Sequence, residues 1–161
     1  MVPVHLGLGT NLGDRPANLR AAVGALADFA IVEAISGVWE TAPLYVTDQP
    51  AFLNMALRVT TALAPMDLLC RIKTVESELG RVESIRFGPR LIDIDILTYG
   101  DVMMDDDRLT LPHPRLGERR FALAPLAEIA AGLRHPVAGH TVAAMLAALP
   151  DIGDIRPLGP L

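Results

Sequence analysis

Apolar and polar positions alternate from the start of the chain. Val2, Val4, Leu6 and Leu8 fall on one side of an extended backbone, and Pro3, His5, Gly7 and Gly9 on the other. A two-residue period predicts a strand over residues 2–9 with one buried face. From residue 15 the period lengthens. Leu19, Ala22, Val23, Leu26 and Phe29 recur at helical spacing and predict a helix over 15–29. Asp14 and Pro16 suit its first turn. A second strand is read over 31–39. A third spans 53–61, where Leu53, Met55, Leu57 and Val59 alternate with Asn54, Ala56, Arg58 and Thr60. Pro65 opens a second helix, which Gly80 ends. Residues 91–98 form a fourth strand. Residues 41–50 and 81–90 are rich in turn formers and read as long loops.

The order βαββαβ predicts an α+β fold with the ferredoxin-like plan, an antiparallel sheet with helices on one face. Two additional C-terminal helices are expected over 116–130 and 141–148, followed by an irregular tail. The chain is read as one domain over residues 1–161, a length sufficient to bury a core.

Composition narrows the function classes. Hydrophobic residues make up 51% and charged residues 20%, so the chain folds rather than staying disordered. The net charge of −5 and 4% aromatic content argue against nucleic-acid binding through a basic, stacking face. One cysteine, Cys70, excludes an internal disulfide or a cysteine metal cage. The start carries no charged n-region with a long apolar run, and no apolar stretch reaches the roughly 18 residues of a membrane span. A cytoplasmic location with no membrane partner is the expectation, with a monomer as the expected state. Lys73 is the single lysine and is followed by threonine but not preceded by glycine, which excludes a P-loop.

The sharpest local feature is Leu91-Ile92-Asp93-Ile94-Asp95-Ile96. On a strand the isoleucines share one face, and Asp93 and Asp95 share the other, about 6.6 Å apart. Two carboxylates at that separation repel by about 2.5 kcal/mol at an effective dielectric of 20. A hard divalent cation would turn that repulsion into binding; a solvated outer face would merely tolerate it. Arg81, Arg86, Arg90, Arg108, Arg115, Arg119 and Arg120 lie within forty residues of one another, among eight acids. Mixed charge of this kind suits a metal–triphosphate site or a set of surface ion pairs. Gly7, Gly9 and Asn54 fall on the same sheet face as the aspartates, and glycines there admit a flat ligand to the backbone. Glu76 falls inside the apolar stripe of the second helix and needs a partner, either a ligand or a cation such as Arg71 or Lys73. His113, held between Pro112 and Pro114, is either a phosphate contact or a turn residue.

Taken together, these motifs resemble a known family. Arg86-Phe87-Gly88-Pro89-Arg90, two residues, then Asp93-Ile94-Asp95-Ile96-Leu97 is similar to the signature of the 6-hydroxymethyl-7,8-dihydropterin pyrophosphokinases. Gly9-Thr10-Asn11-Leu12-Gly13-Asp14, Trp39-Glu40-Thr41-Ala42-Pro43 and Asp48-Gln49-Pro50-Ala51-Phe52-Leu53-Asn54 resemble earlier segments of that family. Arg108 to Arg115 and Glu118 to Phe121 resemble later ones, in the same order. The resemblance implies the ferredoxin-like fold and transfer of the terminal pyrophosphoryl unit of ATP to the pterin hydroxymethyl group, giving AMP. It implies two Mg²⁺ ions on Asp93 and Asp95, with Arg90 and Arg81 beside the reacting phosphates. Glu76, Arg86, Arg108, Thr110, His113 and Arg119 would contact the nucleotide. Phe87 and Phe121 would stack on the pterin, with Asn54, Thr41 and backbone groups of Ala42 and Leu44 on its polar edge.

The sequence also departs from the family pattern. Ala42 stands where proline is frequent, which predicts a looser loop, and Phe52 stands where tyrosine is common. Lys73 replaces a glutamine of some members, Glu83 falls near an arginine position, and Pro114 replaces a tyrosine. The 81–90 segment is one residue shorter than in some members. By residues alone, a nucleotidyl transferase attacking the α-phosphorus and a catalytically silent binding module remain alternatives.

Overall fold

A computed structural model of the chain describes residues 1–42, 48–80, 91–151 and 153–161. Its centre is a six-stranded antiparallel sheet. β1 (Val2–Thr10) lies between β4 (Phe52–Thr61) and the edge strand β5 (Asp93–Tyr99). On the far side β4 pairs with β2 (Ile31–Ile35) and β3 (Val38–Thr41), and β3 pairs with β8 (Ile155–Gly159). A short hairpin of β6 (Met104–Asp105) and β7 (Thr110–Leu111) follows β5.

The alternation in sequence becomes two faces. Val4, Leu6, Leu8, Met55, Leu57, Val59, Ile94 and Ile96 are buried on one side. They form the main core with α1 (Arg15–Leu26) and α2 (Pro65–Glu78). Asp14 caps α1 by accepting from the Ala17 amide at 3.2 Å. Gly80, at φ 96°, closes α2 in the left-handed conformation that the sequence anticipated. The opposite sheet face is partly covered as well. Ala56 and Leu97 pack with Leu116, Leu123, Leu126, Val142 and Met145. These come from a 3₁₀ turn (Leu116–Glu118), α3 (Arg120–Ala130) and α4 (Val142–Ala148). The rest of that face, toward Gly7, Gly9 and the aspartates, lines a cleft.

Three expectations change. The tail is not irregular: residues 155–159 add a strand to the free edge of β3. Pro157 misleads the sequence reading, because an edge strand tolerates a missing N–H. The second strand is two strands on one partner. Between them Ser36 exchanges bonds with Ala56, its hydroxyl accepting from the Ala56 amide at 2.8 Å and its own amide donating to Ala56 O at 3.0 Å. The helix expected over 116–130 begins as a 3₁₀ turn and becomes α-helical only from Arg120. β6 and β7 have too few residues to leave a periodic signal.

His5 lies on the second sheet face, 5% exposed, with Nδ1 2.9 Å from Thr98 Oγ1. Burial, reinforced by Arg58, lowers its pKa to about 4. The unfolded chain therefore takes up this proton near pH 6.5 while the folded chain does not until about pH 4. Stability from this group is complete above pH 6.5 and falls as the pH drops toward 4, by up to about 3 kcal/mol. His113 and His135 act in the same direction. Urea unfolding between pH 7 and 4 should show this loss, and His5→Gln should flatten it by one proton. An unchanged slope in the variant would assign the acid sensitivity elsewhere.

Candidate active site

The register of β1 builds the cleft floor. Gly9 pairs with Asn54 on one side and Asp93 on the other; Gly7 pairs with Ala56 and Asp95. Both glycines thus sit between the carboxylates and the pocket wall, where any larger side chain would fill the floor. A Cβ on Gly9 would lie 3.0 Å from Asn54 Oδ1. Gly9→Ala should displace that amide by a few tenths of an ångström. It should weaken binding of a flat ligand roughly tenfold, with the fold retained. Ligand titration together with a melting curve checks both halves.

Asp93 and Asp95 point the same way into the cleft because β5 is regular through Ile96. A register shift opposite His5 and Leu6 then turns Tyr99 into the main core, beside Ile94 and Ile96. Burial, and then the negative charge of Asp93, push the Asp95 carboxyl up to about 7; Arg119 pulls in the other direction. Among the described residues lining the cleft, Arg119 supplies the positive charge, and its guanidinium lies 5.4 Å from the Phe121 ring centroid.

His113 reaches the cleft from the segment after β7. Its amide donates to Leu97 O at 2.9 Å, which ties it to β5. Its Nδ1 accepts from the Arg115 amide at 3.2 Å, so the neutral ring carries its proton on Nε2. Burial, with Arg119 next, lowers its pKa to about 4. At neutral pH His113 is therefore an uncharged donor, not a cation.

The polar wall comes from β3 and β4. Asn54, 7% exposed, donates from Nδ2 to Thr41 Oγ1 at 2.8 Å, leaving Oδ1 over Gly9 as an acceptor. Ala42 continues the wall. Its amide donates to Asp154 O at 3.0 Å, so its carbonyl is the backbone group left for a ligand. A proline could not donate that bond. The acceptor is the residue just before the C-terminal strand, and residues 43–47 of the loop expected to be loose lie outside the described residues.

The structure gathers Thr41, Ala42, Asn54, Asp93, Asp95, His113, Arg119 and Phe121 around one cleft, with Phe52, Met55, Leu97 and Leu116 as apolar lining. Thr110 lies in an adjoining shallow depression with Met104 and Leu111, which meets the cleft at His113. Arg108 is exposed on the turn between β6 and β7, apart from both, with its amide donating to Asp106. Glu76 lies behind β5. One carboxylate oxygen accepts from the Ile94 amide at 3.0 Å and the other lies 3.1 Å from Lys73 Nζ. It serves the outward amide between the two aspartates and so holds this edge strand in place. Arg81, Arg86, Phe87, Arg90 and Leu44 lie outside the described residues.

The sequence reading missed the apolar lining and the braces of the loops. Leu97 and Leu116 carry no distinguishing signal. Asn11, which donates from Nδ2 to Gln49 Oε1 at 2.9 Å and to Pro50 O at 3.0 Å, was visible only as part of a motif.

Among the described residues no group of three or more His, Cys, Asp or Glu is placed to hold a metal. The cleft offers two adjacent hard oxygen donors, Asp93 and Asp95, which suits a cation that takes its remaining ligands from water and phosphate. Burial, and then the negative charge of Asp93, make ionisation of Asp95 costly. A divalent cation at the pair removes that cost.

These features define a class: an α+β protein of ferredoxin-like plan, with a cleft on one sheet face and paired carboxylates at its edge. Comparison with known proteins identifies its family. The profile of the 7,8-dihydro-6-hydroxymethylpterin-pyrophosphokinases matches residues 5–131, and the chain belongs to this family. The chain is 44% identical over 158 residues to a 2-amino-4-hydroxy-6-hydroxymethyldihydropteridine pyrophosphokinase of Methylorubrum extorquens, covering 97% of this chain and 99% of that one. It is 45% identical over 127 residues to the Bacillus subtilis protein of the same name, covering 78% of this chain and 76% of that one. It is also 40% identical over 157 residues to the folic acid synthesis protein FOL1 of Dictyostelium discoideum, covering 98% of this chain and 24% of that one. The chain spans about a quarter of the length of such larger relatives. The HPPK-DHPS of Plasmodium falciparum shares the fold, with a TM-score of 0.77 at 14% identity over 97% of this chain and 46% of that one. Among the described residues no helix is long and apolar enough to cross a membrane.

Proposed function

We propose that the chain transfers the pyrophosphoryl group of ATP to the hydroxymethyl group of 6-hydroxymethyl-7,8-dihydropterin, in folate synthesis. The observation that carries this reading is a single cleft joining an amide-lined wall for a flat heterocycle to a carboxylate pair suited to a metal-bound triphosphate. The pterin hydroxyl oxygen bonds to the β-phosphorus, and the bond from that phosphorus to the α–β bridging oxygen breaks. AMP leaves, and the hydroxyl proton is released.

Asn54 Oδ1 and the Ala42 carbonyl accept from the pterin's amino and ring N–H groups, and Phe121 stacks on its face. Thr41 orients Asn54 through their hydrogen bond. Asp93 and Asp95 would hold Mg²⁺, two ions in this reading, which when bound neutralise triphosphate charge and polarise the attacked phosphorus. Arg119 and neutral His113 donate to phosphate oxygens, and Thr110 borders the nucleoside. Glu76 keeps the strand between the aspartates in register, beneath the nucleotide side. Arg81, Arg86, Arg90, Arg108, Phe87 and Leu44 complete the assignment from the family resemblance. The small, acidic chain acts as a cytoplasmic monomer with no nucleic-acid or membrane partner.

Nucleotide analysis after mixing protein, ATP, Mg²⁺ and the pterin tests the reaction. AMP formed stoichiometrically, and only with both pterin and metal, is the expected result. Release of pyrophosphate would move the attack to the α-phosphorus. Pterin binding without any nucleotide product would reduce the chain to a binding module.

A further inference from the structure

The C-terminal strand β8 reaches the cleft wall from outside the segment that the family profile matches, which ends at residue 131. Thr41 is held on both sides, by Phe52 of β4 and by Ile155 of β8. One residue further, the Ala42 amide donates to Asp154 O at 3.0 Å. Beside them Glu40 binds two arginines. Its Oε1 accepts from Arg156 Nε at 3.2 Å and Nη2 at 2.6 Å; its Oε2 accepts from Arg15 Nη1 at 3.3 Å. The same Arg15 nitrogen donates to Ala51 O at 2.9 Å. The Glu40 carboxylate therefore ties the C-terminal strand to the start of α1 and, through Arg15, to the segment leading into β4. The Arg156 hydrogen bond keeps the Glu40 carboxyl below its ordinary pKa, so the tie persists through neutral pH.

Without β8, the four residues of β3 would be an unpaired edge, Thr41 would be held by β4 alone, and the Ala42 amide would lose its acceptor at Asp154. We propose that Arg156 is a positioning residue for pterin recognition: through Glu40 it pins β8 to β3 and so fixes the Thr41–Ala42 wall. The identity of the ligand rests on the pyrophosphokinase reading; the brace itself rests on the contacts above.

The test compares Arg156→Ala, Arg156→Lys and Glu40→Gln with the parent. It measures KM for pterin and for ATP, kcat, and hydrogen exchange at the Ala42 amide in the ligand-free protein. Arg156→Ala should raise KM for pterin about three- to fivefold, the range open to an exposed ion pair, with KM for ATP and kcat unchanged. Exchange at Ala42 should quicken by a similar factor. Arg156→Lys should recover much of both effects, and Arg156→Ala in the Glu40→Gln background should add nothing. Equal rises in both KM values would make the contact a general stabiliser and overturn the proposal. Unchanged exchange at Ala42, or quickened exchange with an unchanged pterin KM, would overturn it as well. If the parent forms no AMP, the functional reading fails separately; pterin affinity by direct titration then replaces KM, with the same outcomes deciding.

Discussion

Asp93→Asn and Asp95→Asn should each lower pyrophosphoryl transfer by at least about a hundredfold at saturating Mg²⁺, the scale of losing one preorganised electrostatic group in a shielded site. The chemical reason is the donor set. The described cleft offers two carboxylates to a cation, so replacing one removes half of the protein's contribution. Each variant should nevertheless fold. Asp95 titrates near 7 in the folded protein against an ordinary value of 3.8. Between those values the folded chain holds a proton that the unfolded chain releases, so metal-free stability declines as pH rises through this window. Asp95→Asn abolishes that decline and should be more stable than the parent at pH 8 with chelator, by on the order of 1 kcal/mol after allowance for solvent screening. Urea melts at pH 5 and pH 8 give the comparison. Near-normal turnover in both variants would remove the metal assignment. A variant that loses activity and also unfolds at pH 8 would show that the pair is structural.

The parts of this site that the sequence revealed are those encoded by local periodicity. Strand alternation puts Gly7, Gly9, Asn54, Asp93 and Asp95 on one face, and antiparallel pairing then brings them into adjacent rows. Glu76 was visible as an anomaly on an apolar stripe. Its partner was not, because a backbone amide on an edge strand leaves no mark in the sequence. The same limit hides the break between β2 and β3, where Gly37 gives its amide to Glu128 Oε2 and Trp39 its indole N–H to Glu128 Oε1. Those residues lie about ninety positions apart in the chain. Glu40 and Arg156 are separated by 116 positions. Pro157 and Gly159 argue locally against the strand that brings them together. Charge complementarity can be read along one helix, but not between segments whose pairing is decided by the tertiary fold.

Asn54→Ala should weaken pterin binding by roughly 10- to 100-fold, the cost of leaving a buried hydrogen-bonding group unpaired. Two losses combine. The pterin edge loses the acceptor that Oδ1 places over Gly9, and Thr41 Oγ1 loses the donor that fixes it at 2.8 Å. A pterin N–H that meets the emptied position without an acceptor pays its desolvation cost on binding. The effect should therefore appear chiefly in KM for pterin, with KM for ATP little changed, since His113, Arg119 and the aspartates stand on other segments. Asn54→Asp provides the sharper control. It keeps an acceptor of the same size at Oδ1 and loses the amide donor to Thr41, while adding a third negative charge to a face that already carries Asp93 and Asp95. Binding should fall relative to the parent, and lowering the pH should recover part of it as the introduced carboxylate protonates. Equal pterin affinity in the parent and Asn54→Ala would show that the ligand is read elsewhere and that the Asn54–Thr41 pair only closes the sheet.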